Sequence, residues 1–134
     1  MKEPLVDYLL RSKYLIPSLF VLLTLVMLFL TLVPANTLGS SAIWGYDKLG
    51  HFLLFGSWTF LFGAFLYVNN SYKLNLFTIF FVGVSFGIII EVFQYLLPFH
   101  RSAELFDIAF DSLGCLFGVL VLKKILPESK NNSS

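Results

Sequence analysis

Charged residues are scarce in this sequence: only 13% of its 134 residues are Asp, Glu, Lys or Arg, against about 25% in a typical soluble domain. The single cysteine, Cys115, excludes an internal disulfide. Long runs without any charge exclude a nucleic-acid-binding module with a basic face. What the chain does have is 57% hydrophobic residues, with 16 Phe, in long uncharged runs. This composition excludes a disordered chain and a disulfide-bonded secreted scaffold, and it favours a membrane protein.

Four long apolar runs predict four membrane-spanning helices. A helix needs about 20 apolar residues to cross the hydrocarbon layer, and the predicted spans are residues 14–33, 50–68, 74–97 and 105–126. The runs are continuous rather than alternating, and backbone groups in lipid must be hydrogen-bonded internally, so helices are expected rather than barrel strands. The first run is also too long for the apolar part of a signal peptide. The predicted fold is therefore all-α, a four-helix transmembrane bundle.

The distribution of Lys and Arg predicts the orientation, because basic residues favour the cytoplasmic side. With four spans, both termini and the loop between the second and third spans share one side. That side holds seven of the nine basic residues: Lys2, Arg11, Lys13, Lys73, Lys123, Lys124 and Lys130. The other side holds only Lys48 and Arg101. Both termini are therefore predicted to be cytoplasmic, with residues 1–13 as an N-terminal segment, 14–126 as the membrane domain and 127–134 as a polar tail.

Ionisable residues collect on the predicted outer side. This group contains five of the eight acidic residues but only two Lys or Arg residues. An acid at the centre of the bilayer costs about 2.5 to 3.5 kcal/mol, so such side chains face a partner or a wet cavity rather than lipid. The group comprises Asp47, Lys48, His51, Glu91, Gln94, His100, Arg101, Glu104, Asp107 and Asp111.

Helical periodicity places the polar residues of each span on one face. On the third and fourth spans, a pair of glycines four residues apart continues that face toward the cytoplasm, and such pairs let helix backbones approach closely. We expect these two helices to touch at the glycines and to splay around an acid-rich cup that opens outward. The faces are Gly83, Gly87, Glu91 and Gln94 on the third span, Asp107, Asp111, Gly114 and Gly118 on the fourth, and Lys48, His51, Phe55 and Thr59 on the second, which forms a wall.

A series of short motifs runs from about Trp44 to Val121: Asp47-Lys48, His51-Phe52, Glu91-x-x-Gln94, Pro98, Arg101-Ser102, and Asp107-x-x-x-Asp111-x-x-Gly114 followed by Gly118. This series resembles the VanZ-like family of small bacterial integral membrane proteins. At position 111 the family usually has Asn, and the Asp here bears on the net charge of the pocket. The resemblance implies a multi-pass protein of the bacterial cytoplasmic (inner) membrane. The founding member is associated with low-level resistance to the glycopeptide teicoplanin.

Two interpretations of the polar group stay open: a hydrogen-bonded network that fixes helix packing, or a binding site. The excess of acids favours binding of a proton, a cation or a cationic part of a ligand. A divalent cation would suit the oxygen and imidazole donors of His51, Glu91, Asp107 and Asp111, and it could bridge them to a lipid phosphate. The predicted ligand-binding residues are Asp47, Lys48, His51, Glu91, Gln94, Arg101, Asp107 and Asp111.

The expected ligand is the headgroup of a membrane lipid or of a lipid-linked envelope precursor, with Lys48 and Arg101 contacting its anionic group. The alternative is an enzyme that acts on lipid-linked envelope substrates, with His51 as a candidate general base. Catalysis is less favoured because no nucleophile or nucleotide motif accompanies this histidine. A third hypothesis is a structural subunit or an oligomer, associating with its partner through Gly83, Gly87, Gly114 and Gly118. No nucleic-acid partner is expected.

Overall fold

The uncharged runs form long helices in the computed structural model, which describes residues 4–34, 47–70, 73–97 and 104–126. Four of the helices found there are long and apolar enough to span a membrane, so the all-helical, four-span architecture is confirmed. The helix limits lie within three residues of the predicted ones. The helices are α1 (Pro4–Arg11), α2 (Leu15–Leu32), α3 (Asp47–Asn69), α4 (Leu76–Leu96) and α5 (Leu105–Ile125). The cytoplasmic location of the termini stays a prediction.

The short helix α1 was not predicted. It starts at Pro4, and proline is well suited to the first helical position because its fixed φ fits a helix and no backbone donor is needed there. Leu10 of α1 packs against an apolar cluster that also contains Ile16 of α2. Helix α1 therefore contacts the apolar interior near the start of the first span.

Helices α3 and α5 run parallel and form the largest interface between any two helices of the described chain. Along this interface, His51 lies beside Asp111 and Gly56 beside Gly114. Helix α4 runs antiparallel to both, with Gly87 beside Phe55 and Asp111. The helix ends at Leu32, Asp47, Leu96 and Leu105 thus meet at one end of the bundle, which we call the polar end; the opposite end is the terminal end.

The closest approach of two backbones occurs between α3 and α5. A Cβ atom placed on Gly118 would lie 2.5 Å from the carbonyl oxygen of Gly56, and one placed on Gly114 would overlap the carbonyl oxygen of Phe52. The α5 glycines therefore pack against α3, and the prediction that they pack against the third span, α4, is wrong. The reason is Gly56 of α3, which gives that helix the flat surface needed for backbone contact.

The glycines of α4 contact side chains of the neighbouring helices rather than their backbones. A Cβ on Gly83 would lie 2.8 Å from the Cys115 sulfur, and a Cβ on Gly87 would lie 2.9 Å from an Asp111 oxygen. Gly83, Gly87, Gly114 and Gly118 are all buried within the chain. Association of the protein with a partner stays a prediction, and these four positions face its own helices.

The interior is arranged in layers along the bundle axis. Helix α2 is fastened to α3 in the middle layer, where the Trp58 indole N–H donates to the Thr24 hydroxyl at 2.9 Å and Phe20 packs on the Trp58 ring. The layer at the terminal end contains Ile16, Ala64, Tyr67, Ile79, Val119, Leu122 and Leu126, and the middle layer contains Met27, Phe55, Trp58, Ile90 and Cys115. Leu, Ile, Val and Phe side chains cover much of the outer surface, as lipid contact requires. The third layer, at the polar end, is built differently.

Candidate binding site

Three helices bring ionisable side chains together at the polar end. His51 comes from α3, Glu91 from α4, and Asp107 and Asp111 from successive turns of α5. Their exposures are 7%, 3%, 5% and 1%, respectively. We call these four residues the polar cluster. Because buried charges are costly unless they are paired or bound to an ion, the partners of each side chain decide what the cluster can do.

His51 lies between the two aspartates of α5. Its Nδ1 is 2.8 Å from Asp111 Oδ1; since an ionised carboxylate only accepts, the imidazole N–H donates. Its Nε2 is 3.7 Å from Asp107 Oδ2, a distance that allows charge attraction but is too long for a hydrogen bond. Asp111 therefore fixes the orientation of the ring.

Glu91 is held at only one of its two carboxylate oxygens. Its Oε2 accepts the backbone N–H of Glu104 at 3.1 Å, and Glu104 is the N-cap residue of α5. Its Oε1 is buried and has no hydrogen-bond partner among the described residues. A buried carboxylate oxygen without a hydrogen bond is costly. Glu91 therefore presents an acceptor for which the described residues supply no donor.

Gly87 makes room for the aspartate that reaches α4. A Cβ at this position would lie 2.9 Å from Asp111 Oδ2 and 3.3 Å from the ring of Phe55. Gly87 also lies one helical turn before Glu91, so the carboxylates of Asp111 and Glu91 approach each other along α4. One donor atom from each of His51, Glu91 and Asp111 lies within 4.8 Å of the other two.

Lys48 and Glu104 lie at the exposed margin of the polar cluster. The Lys48 ammonium is 3.2 Å from Glu104 Oε2 and 3.6 Å from Asp107 Oδ1. The side chains of Lys48 and Glu104 are 42% and 49% exposed, so their mutual ion pair contributes only about 0 to 1 kcal/mol. The contact to the buried Asp107 carboxylate is more important for the site, because it places a positive charge next to a buried acid of the cluster.

Acidic and basic side chains meet in the polar cluster. Asp107 lies beside Lys48 and His51, and Asp111 lies beside His51. Carboxylates and an imidazole in one buried cluster have the chemistry to hold a proton, a metal ion or the cationic part of a ligand.

The cluster is packed rather than open. An outward-opening cup was expected from splayed helices, but its four acidic and imidazole side chains are at most 7% exposed. The reason is local: Gly87 lets Asp111 lie directly against α4, so the carboxylate fills the space that a cup would leave. Among the described residues, Lys48 is a half-exposed side chain in contact with the cluster.

The remaining predicted site residues have different positions. Gln94 is buried, and its amide N–H donates to the Thr31 carbonyl at 2.6 Å, which ties α4 to α2. Its role in ligand binding stays a prediction. Arg101 and the side chain of Asp47 lie outside the part of the chain that the structure describes. Sequence reasoning missed the Glu104 amide as a donor to Glu91, because only the folded chain brings that N–H to α4.

Comparison with known families gives one match. A family model described as VanZ/LLP1 matches residues 11–126. The matched region contains all four long helices and the whole polar cluster. No curated protein and no solved structure matched the chain.

Proposed function

Since this chain belongs to the VanZ/LLP1 family, we propose that it is a multi-pass protein of the bacterial cytoplasmic membrane that binds the headgroup of an amphiphile at the polar end. The ligand is a membrane lipid or a lipid-linked envelope precursor, and the polar cluster holds its cationic part or its counter-ion. Such binding would also change how much precursor a glycopeptide such as teicoplanin can reach, so a link to resistance is part of the proposal.

The observation that carries the proposal is the buried Glu91 carboxylate, one of whose oxygens has no hydrogen-bond partner among the described residues. A network that served only helix packing would be expected to pair its buried atoms. Here Glu91 Oε1 has no hydrogen-bond partner among the described residues, although the side chain is only 3% exposed. A ligand or ion at this position would satisfy that oxygen and offset the negative charge.

Lys48 supports an anionic group in the ligand. Its ammonium is half-exposed at the margin of the cluster, where it can donate to a phosphate while the carboxylates below hold a cation. A lipid headgroup with its counter-ion would require this arrangement, with the phosphate at Lys48 and the cation at the buried carboxylates.

An apolar groove offers a place for the chain of the same amphiphile. The groove has a volume of about 260 Å³, lies between α3 and α5, and begins at Phe52, one helical turn after Lys48. It runs past Gly56 and Ser57 toward Leu61, a length of about 13 Å at 1.5 Å per residue. Because the groove is apolar and starts one helical turn from Lys48, it favours an acyl or prenyl chain over a second protein.

The binding proposal predicts a loss of bound lipid when Lys48 is removed. The protein is purified in mild detergent, mixed with phosphatidylglycerol or with a polyprenyl phosphate, and examined by native mass spectrometry. Lys48→Ala should weaken retention by about 10- to 100-fold, because a hydrogen bond to a charged group contributes about 1.5 to 3 kcal/mol. Ser57→Phe, which fills the groove, should weaken retention as well. The two lipids distinguish a membrane lipid from a precursor.

Matched controls separate these effects from general damage. Lys123→Ala removes an exposed cation from α5 at the terminal end, and Ile88→Phe enlarges an exposed side chain of α4 outside the groove. Both controls should retain lipid like the wild type. Equal loss in Lys48→Ala and Lys123→Ala, or no retention of either lipid by the wild type, would contradict the proposal.

A second candidate function is favoured by one specific contact. Asp111 holds His51 through Nδ1 at 2.8 Å, an arrangement that orients a histidine for general-base work at Nε2. The substrate class would be a lipid-linked envelope compound with a phosphate or amide group. Conversion of the polyprenyl phosphate or a related lipid-linked compound, dependent on His51 and a divalent ion, would favour this enzyme; retention without conversion favours binding.

A further inference from the structure

We infer that His51, Glu91 and Asp111 form a site for one first-row divalent metal ion. The inference rests on the proposed function, since it names the cation at the same site, but it can be tested without lipid. One donor atom from each residue lies within 4.8 Å of the other two. Two donors on one metal ion, each about 2.1 Å from it, lie at most about 4.2 Å apart. A small side-chain adjustment would therefore place all three on one ion.

The unused oxygen of Glu91 points to a ligand rather than to a closed network. The three donors come from three different helices. The Oε2 atom of Glu91 accepts a hydrogen bond from the Glu104 backbone N–H at 3.1 Å. That contact holds the side chain in place while Oε1 stays buried with no hydrogen-bond partner in the described part of the chain. A fixed carboxylate with one buried oxygen available is what a metal ligand requires.

The arrangement favours a metal ion over a single shared proton. A proton joins two acceptor atoms at most, whereas one metal ion can take one donor atom from each of His51, Glu91 and Asp111, which lie within 4.8 Å of one another.

The donor types narrow the choice of metal. One imidazole nitrogen with two carboxylate oxygens suits Zn²⁺ or Mn²⁺, whereas Ca²⁺ and Mg²⁺ prefer sites built from oxygen alone. Zn²⁺ should bind more tightly than Mn²⁺, following the general affinity order of these ions. Metal binding requires a neutral histidine, so uptake should release protons when the site starts protonated.

The test measures metal binding by the tag-free, full-length protein in lipid-free detergent. After treatment with a chelator, the protein is dialysed against Zn²⁺ alone or Mn²⁺ alone, and bound metal is counted by mass spectrometry. We expect about one Zn²⁺ per chain and a loss of affinity greater than about 100-fold in Glu91→Gln and Asp111→Asn, since even the outer partners of metal ligands contribute 10- to 100-fold. Asp7→Asn, which removes a carboxylate from α1 at the terminal end, should bind like the wild type.

A spectroscopic measurement covers the case in which a variant fails to fold. Mn²⁺ bound to the wild type should show electron-spin coupling to one imidazole nitrogen, because His51 is the only histidine in the proposed site. No stoichiometric Zn²⁺ binding by the wild type, no nitrogen coupling, or equal binding by Glu91→Gln would overturn the metal site. Lipid retention that depends on Lys48 but needs no metal would overturn this inference and leave the proposed function standing.

Discussion

Gly114→Ala is expected to destabilise the protein by about 3 kcal/mol or more, the upper end of the usual cost of overpacking. The added Cβ would overlap the Phe52 carbonyl oxygen and lie 3.0 Å from the Gly56 nitrogen. Both obstacles are backbone atoms, so no side-chain rotation relieves the contact, and α3 and α5 must separate. Separation is costly in a membrane, where close packing holds helices together. The free energy of unfolding, measured by titration with SDS, checks the effect.

Gly50→Ala is the matched control for that substitution. Gly50 also lies in α3, but a Cβ there would meet nothing within 4 Å. Because alanine favours a helix over glycine, this variant should be unchanged or more stable by about 0.5 to 1 kcal/mol. If Gly114→Ala were as stable as Gly50→Ala, the α3–α5 backbone contact would be wrong.

His51→Ala is expected to destabilise the metal-free protein by about 3 to 5 kcal/mol, the cost of removing one partner from a buried ion pair. The substitution leaves Asp111, which is 1% exposed, and Asp107, which is 5% exposed, without the imidazole between them. The same SDS titration, performed with a chelator present, measures the loss.

A double variant identifies the source of that loss. His51→Ala combined with Asp111→Ala should be more stable than the sum of the two single changes, by about 1 kcal/mol or more, because the two side chains are in contact. Lys48→Ala should cost less than His51→Ala, because the Lys48 side chain is 42% exposed whereas His51 is buried. A loss in His51→Ala as small as that in Lys48→Ala would show that the His51–Asp111 pair does not contribute to stability.

The apolar runs and the helical spacing of the polar residues were enough to predict much of this architecture. Length and hydropathy identify spans directly because the bilayer sets both. Glu91 and Gln94 on α4 and Asp107 and Asp111 on α5 are all buried, as their shared faces predicted. Periodicity works here because a charged residue in a membrane helix has only one favourable side to face.

The pairing of the faces could not be predicted in the same way. Two helices of the chain carry pairs of glycines four residues apart, and nothing in the spacing says that Gly114 and Gly118 pack on Gly56 while Gly87 accepts Asp111. The choice depends on the three-dimensional order of four helices. The sequence also could not distinguish an open cup from a packed cluster. The difference depends on how far α4 and α5 separate at Gly87, which the spacing of residues does not determine.

The most direct test is an experimental structure of the full-length protein crystallised in a lipid mesophase, at a resolution that shows ordered ions. We predict that Glu91 and Asp111 face each other beside His51, with non-protein density in contact with Glu91 Oε1. A structure in which those two carboxylates face acyl chains, or in which every carboxylate oxygen of the polar cluster is hydrogen-bonded within the protein and no extra density is present, would contradict a binding site at the polar end.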